Sequence, residues 1–327
     1  MKRLFKVLIT TCLLLSLCAC AKTNKNKDKI SVVVSIYPIY DWVENIIKDV
    51  NSDVDVYLLI DSGSDLHNYQ PSVKDIATIS KCDLFIYVGG ESDDWVDDAL
   101  RNKLNENLIS INLLEELGDL AKEEELVEGM EGEEEEEEEE EEESEEEEIE
   151  YDEHVWLSLK NAVLFVNKIS SSLSSIDEKN KDKYSSNANE YVSKLNELDS
   201  RYQDAINNKN KDTILFGDRF PFRYLVSDYN LKYYAAFIGC SAETEASFET
   251  IAFLSNKVDE LGLKVILKIE GSDGRIASTI KDNTRSKDQQ ILTMNSLQSL
   301  TLNDYKNGVT YLKVMEDNLS TLIEALK

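Results

Sequence analysis

The sequence predicts a two-lobed α/β protein. Each lobe is a mostly parallel sheet flanked by helices, one long rigid helix joins them, and a ligand cleft lies between them. Three observations carry this reading. Short β-branched runs alternate with segments of helical spacing in residues 30–181 and again in 208–327, the pattern of βαβ units. Between these stretches, residues 182–207 contain no Pro or Gly and place Tyr191, Leu195, Leu198 and Tyr202 on one stripe of an otherwise charged helix. The length, 327 residues, fits two domains at roughly 100–200 residues each.

Taken in order, residues 30–36 (Ile-Ser-Val-Val-Val-Ser-Ile) form a buried strand that ends at Pro38. A helix follows over 40–50, with Tyr40, Val43, Ile46, Ile47 and Val50 on one face. Strands over 53–60, 83–88 and 108–112 alternate with helices over 74–80 and 95–104, and a helix over 161–175 precedes the rod. The second lobe repeats the alternation, with strands over 213–217, 233–237, 265–269 and 290–292. Its helices are expected over 222–229, 245–261, 275–284 and about 305–326. Open α/β sheets take ligands at the carboxyl ends of their strands, which places the expected site in the cleft between the lobes.

Charge and leader refine the organisation. The chain has 35 basic and 65 acidic residues, a formal charge of -30. Residues 123–153 hold 23 of the acidic residues and no basic one, leaving 42 acidic against 35 basic elsewhere, or -7. The loop over about 123–151, with an unbroken Glu run at 133–143, repels itself and buries nothing, so it is expected to be solvated. No basic surplus exists to neutralise phosphates, which excludes a nucleic-acid partner held that way. Lys2, Arg3 and Lys6 precede an apolar stretch over 7–17, shorter than the roughly 20 residues that span a bilayer, so residues 1–20 are expected to be a secretory signal. Its end, Leu17-Cys18-Ala19-Cys20, resembles a bacterial lipobox, which implies acylation of Cys20, with residues 21–29 as a flexible tether. Cys82 and Cys240 have no short spacing to each other or to another cysteine and are expected to be buried, unpaired thiols.

Two histidines occur, His67 in Leu66-His-Asn-Tyr-Gln-Pro-Ser72 and His154 in Asp152-Glu-His-Val-Trp-Leu157. Neither belongs to a local metal motif such as His-Glu-x-x-His. These two blocks, together with Val34-Ser-Ile-Tyr-Pro-Ile-Tyr-Asp41 upstream, resemble successive blocks of the zinc- and manganese-binding solute-binding lipoproteins of bacterial ABC importers (ZnuA-like). Downstream, Glu243-Thr-Glu-Ala-Ser247 and the closing segment over 308–319 are similar to that family as well, and the resemblance runs from Ile30 to the C-terminus in the family's order.

The resemblance implies a function: capture of a divalent metal outside the membrane, zinc or alternatively manganese, and delivery to an ABC permease by a lipid-anchored monomer. It implies that His67 and His154 are metal ligands from the first lobe. The family's third ligand aligns near Phe216-Gly-Asp-Arg-Phe-Pro-Phe-Arg-Tyr224, and matching Phe222, Tyr224 and Tyr229 with one inserted residue puts Asp218 there. Asp218 also reads as a helix cap or a partner of Arg219. For the fourth position the resemblance points to Asn295, while Glu270, anionic and at the end of the strand over 265–269, is the stronger donor and is preferred, with Asn295 as the alternative. Glu270 also reads as a partner of Arg275 or Arg219. Glu243 reads as part of a helix start rather than a ligand. Two imidazoles with carboxylates suit zinc and also the harder manganese ion. The acidic loop sits where zinc-type relatives carry a His-rich loop, which reads either as a concentrator of cations or as a plain spacer. Two His and an Asp with an open position also resemble a hydrolytic zinc centre, but no Gly-x-Ser-x-Gly or comparable nucleophile turn is present, and binding rather than catalysis is expected. Surface adhesion is a further class that the resemblance leaves open.

Overall fold

The computed structural model describes residues 29–131, 150–241 and 245–327. The expected signal segment and Cys20, the central part of the acidic stretch, and Glu243 lie outside them. The first lobe is built on β1 (Ile30–Val34), β2 (Val54–Leu58), β3 (Leu84–Tyr87) and β4 (Ile109–Asn112), in the order β2-β1-β3-β4. Val32, Val33 and Val34 of β1 pair with neighbours on both sides and are fully buried, which explains why this strand is a continuous apolar run rather than an alternating one.

Helix α1 (Tyr37–Ile47) begins three residues before the expected start, with Pro38 inside its first turn. A proline is harmless there because the first-turn N–H groups have no intrahelical acceptor. The remaining helices of this half are α2 (Val73–Ile79), α3 (Trp95–Arg101), the short α4 (Leu113–Leu117) and α5 (Leu159–Ile176). Ser72 caps α2 in a capping box with Asp75, and Ser158 caps α5.

Helix α6 (Lys181–Asn207) has 27 residues, about 40 Å at 1.5 Å per residue. The predicted stripe of Tyr191, Leu195, Leu198 and Tyr202 is its buried face. Its first half holds α1, with Asn187 Nδ2 donating to Ile46 O at 3.0 Å and Tyr191 O–H donating to Asp41 Oδ1 at 2.8 Å. Its second half reaches the other lobe, where Tyr202 O–H donates to Met315 O at 2.6 Å and Asp199 accepts from Tyr229 O–H at 2.8 Å.

The second lobe contains β5 (Thr213–Leu215), β6 (Arg219–Phe220), α7 (Arg223–Asp228), β7 (Lys232–Tyr234), β8 (Phe237–Ile238), α8 (Phe248–Leu261), β9 (Val265–Ile269), α9 (Arg275–Asn283) and β10 (Gln290–Met294). Among the described residues all six pairings of named strands are parallel: three in the first sheet, then β5–β7, β6–β8 and β9–β10. A bridge between Phe216 and Leu267 joins β5 to β9. The expected strand over 233–237 is therefore two short strands, β7 and β8, each pairing with a different segment. The expected final helix is also two, α10 (Leu302–Lys306) and α11 (Tyr311–Ala325). Asn307 and Gly308, at φ 84, break the run, and Thr310 caps α11.

Trp42 and Val32 from the first lobe, Leu195 from α6, and Phe216, Leu267 and Tyr311 from the second half all belong to one contiguous buried cluster. Trp156 and Tyr311 tie the halves further: Trp156 Nε1 donates to Ser296 O at 2.8 Å, and Tyr311 O–H donates to Trp156 O at 2.7 Å. The lobes thus share a core instead of meeting across a free hinge. Among the described residues no helix is long and apolar enough to cross a membrane.

Candidate metal site

The two histidines lie 87 positions apart, and both are delivered by short turns at the cleft. His67 sits in a 3-10 turn (Leu66–Asn68) whose N-cap, Asp65, accepts the His67 backbone N–H. His154 directly precedes another (Val155–Leu157) and is fully buried. Their Nε2 atoms face each other at 3.3 Å.

What holds each ring is acidic or hydroxylic. Asp152 Oδ1 accepts the His154 backbone N–H at 2.8 Å and lies 3.2 Å from its Nδ1. His67 Nδ1 lies 2.9 Å from Ser92 Oγ and 3.3 Å from Glu153 Oε2. With the Nδ1 protons directed to these partners, both Nε2 lone pairs point inward, the arrangement that outer groups impose on metal-binding imidazoles. Glu153 is itself held by the Ser92 backbone N–H at 2.8 Å. That contact depends on Gly90, at φ +82, where a Cβ would run into the Glu153 side chain.

The local electrostatics follow from the same contacts. Burial pushes the His67 pKa down, but Glu153 and Asp65 outweigh it, and the net shift is upward. Burial pushes Glu153 up, yet its hydrogen bond and attraction to His67 leave it below the ordinary range. Asp65 is likewise held low against its burial by the charges of His67 and Arg219. Arg219 Nη2 donates to Asp65 Oδ2 at 2.6 Å and Nη1 to Ser241 O at 3.2 Å, so one guanidinium from β6 latches the first lobe.

Among the described residues, the metal donors close enough to share an ion are His67, His154 and Cys240, whose ligand atoms all lie within 4.8 Å of one another. Asp218 and Glu270 do not join this group. Asp218 is buried, but its Oδ1 accepts the Arg219 backbone N–H at 2.9 Å and its Oδ2 accepts that of Ile269 at 3.3 Å. Glu270 accepts from Ser296 twice, from the backbone N–H at 2.7 Å and Oγ at 2.6 Å, and burial raises its pKa against those bonds. Neither reading of Glu270 as an ion-pair partner applies, since Arg219 pairs with Asp65 and Arg275 with Asp273. Asn295 uses its Oδ1 on the Leu297 backbone N–H at 2.7 Å and shapes the turn after β10.

Cys240 departs from its expected place in a core. Both cysteines are unpaired, but Cys82 is buried whereas Cys240 is only partly so. It lines a cavity of about 300 Å³ together with His67, Ser92, Glu124, Glu153 and Arg219. Burial and the carboxylates of Asp152, Glu124 and Glu153 raise its pKa, so the metal-free group is a thiol. Gln298, which the sequence reading passed over, places its Nε2 2.9 Å from His154 Nε2. A second cavity of about 510 Å³ shares Arg219 and is lined by Asp65, Asp218, Glu270 and Gln298.

The ends of the acidic stretch reach this mouth. Glu123 and Tyr151 form an antiparallel bridge, flanked by bonds from Glu124 N to Glu150 O at 2.9 Å and from Asp152 N to Lys122 O at 2.8 Å. Tyr224 of α7 fastens this base from the second lobe, its O–H donating to Asp152 O and accepting the Lys122 N–H, each at 3.0 Å.

Two parallel α/β lobes joined by a rod-like helix, with imidazoles converging in the cleft, define a two-lobed solute-binding protein of the metal-binding class. The chain belongs to the ZnuA family, described as zinc-uptake complex component A, periplasmic, which it matches over residues 32–325. The family is one of transport components rather than enzymes. The chain is 33% identical to the high-affinity zinc uptake system protein ZnuA of Bacillus subtilis (strain 168), over 91% of this chain and 88% of that one. It is 31% identical to the zinc-binding lipoprotein AdcA of Streptococcus pneumoniae (strain ATCC BAA-255 / R6), over 98% of this chain but only 60% of that longer protein. The Zn(II)-bound ZnuA-like domain of Streptococcus pneumoniae AdcA superposes with a TM-score of 0.70 at 28% identity, covering 91% of this chain and 99% of the domain.

Proposed function

We propose that this protein captures Zn2+ on the outer side of the cell membrane and passes it to the permease of an ABC importer, binding and releasing the ion without turning over a substrate. The chain acts as a monomer tethered through an acylated Cys20. The observation that carries the reading is the separation of the imidazoles. Two nitrogens, each about 2.0–2.1 Å from a tetrahedral centre, sit roughly 3.3–3.4 Å apart, and His67 Nε2 and His154 Nε2 lie 3.3 Å apart. The pair is thus spaced as one edge of a zinc tetrahedron, with both rings anchored from behind.

The relatives' roles in zinc uptake and zinc binding support the same cargo, with manganese as the competitor to exclude. The acidic stretch serves this capture through its field, since 15 of residues 132–149 are Glu and both ends of the stretch lie at the mouth.

The test is a chelator-competition titration of metal-free protein. Wild-type protein is expected to bind one Zn2+ per chain, more tightly than Mn2+, and the His67→Ala/His154→Ala double variant is expected to lose that binding. A double variant that keeps sub-micromolar zinc affinity would overturn the reading.

A further inference from the structure

We propose that Cys240 is the second lobe's metal ligand, a thiolate completing a His67–His154–Cys240 set, with the Gln298 side-chain oxygen at the fourth position. This rests on the zinc reading above. It replaces the carboxylate expected from the second lobe with a softer donor.

The delivery of Cys240 is built into the backbone. Residue 239 follows β8 and lies against the His154 ring: a Cβ there would sit 3.0 Å from His154 Cε1, 3.1 Å from its Nδ1 and 3.0 Å from Phe220 O. A side chain here would crowd the ring, so glycine suits this close approach, and the next side chain, Cys240, falls within reach of the imidazole. An ideal zinc tetrahedron with Zn–S near 2.3 Å and Zn–N near 2.05 Å has an S···N edge of roughly 3.6 Å. The ligand atoms of His67, His154 and Cys240, all within 4.8 Å of one another, reach that spacing by a contraction of no more than about 1.2 Å, within the range of a loop adjustment.

A second observation points to the same ion. The Gln298 side chain is 4% exposed, and its Oε1 has no hydrogen-bond partner. A buried unpaired acceptor is costly, and it lies on an amide whose Nε2 touches His154 Nε2. Oxygen and nitrogen of a Gln amide exchange places by a half turn, which brings Oε1 to the ring nitrogen. In that orientation one cation is held by the amide oxygen and both imidazoles, while Nε2 takes the position that Oε1 now occupies. The remaining second-lobe candidates are already engaged, Asp218 by two backbone N–H groups and Glu270 by Ser296.

The consequence is selectivity. Thiolate favours zinc over manganese, whereas carboxylates and water suit manganese. Two imidazoles, one thiolate and one neutral oxygen form a zinc site.

Cobalt substitution with thiol chemistry tests this on the full chain. The Co2+-loaded wild-type protein is expected to show a sulfur-to-cobalt charge-transfer band in the near ultraviolet, absent from Cys240→Ser. Zinc affinity of Cys240→Ser is expected to fall by more than about 100-fold, beyond the 10–100-fold typical of losing an outer-shell partner. Zinc is expected to protect Cys240 of the wild type from a thiol reagent. Gln298→Ala is expected to keep the sulfur band and weaken zinc binding by about 10-fold or more; unchanged affinity removes Gln298 from the site. If the wild type binds one Zn2+ and one Co2+ without the band, and Cys240→Ser binds zinc as tightly, the thiolate assignment is overturned while the zinc reading stands. If the wild type binds no zinc, the zinc reading itself is overturned.

Discussion

Replacing Asp41 by asparagine removes one charge from the buried junction of α1 and α6 while keeping an oxygen for the Tyr191 hydroxyl. Asp41 is fully buried, and burial pushes its pKa from 3.8 up to about 6, against the pull of the Tyr191 hydrogen bond and the Tyr311 backbone N–H. A raised carboxyl pKa means the folded state binds more protons than the unfolded chain between these two values. Stability from this group is therefore full below pH 3.8 and is lost as pH rises towards 6. A shift of about two units corresponds to about 3 kcal/mol at neutral pH, of which about 2–3 kcal/mol develops between pH 4 and 7.5. Asp41→Asn abolishes this dependence, so the variant gains on the wild type by that amount across the same range. Urea unfolding of both proteins at a series of pH values reads the difference directly, and changes at other carboxylates cancel. A gap between the two proteins that stays constant with pH would refute the raised pKa of the buried Asp41 carboxyl.

Two further outcomes bear on the site. Asp152→Asn, which weakens the acceptor behind His154 Nδ1, is expected to reduce zinc affinity by about 10–100-fold with little change in the metal-free melting temperature; an unaltered affinity would show that this carboxylate does not orient the ring. Deleting residues 133–148 is expected to leave equilibrium zinc affinity unchanged and to slow association at low salt, because surface fields are screened beyond about 8 Å at physiological ionic strength; stopped-flow binding at two salt concentrations checks this, and loss of tight binding would mean that the stretch supplies ligands.

Much of the architecture was legible because its signals are periodic and local. The runs around Val33, Phe85 and Ile266 read as buried strands, and the stripe on α6 identified its buried face. The C-terminal segment misled because Asn307 and Gly308 interrupt a pattern that is otherwise continuously helical, and the short β6–β8 pairing carries too few residues to leave a period. His67 and His154 emerged through the blocks around them. Cys240 did not, because a single cysteine in Ile-Gly-Cys-Ser has no spacing to reveal it. The available signal was positional: Gly239 and Cys240 follow a strand at its carboxyl end, where α/β sheets place their sites. Asp218 was the more attractive donor by charge, yet its oxygens accept the backbone N–H groups of Arg219 and, from β9, of Ile269.

The buried cluster that runs unbroken from Val32 through Leu195 to Leu267 also constrains how the proposed cargo leaves. Parting the halves would wet apolar surface, and exposing even about 400 Å² would cost roughly 10 kcal/mol. On the proposed function, unloading is therefore expected to fall to local shifts at the rim, in the turn bearing His67 or at residues 239–241, with the shared core left closed. A receiving surface is then expected to empty the pocket by moving either segment while the two halves stay together.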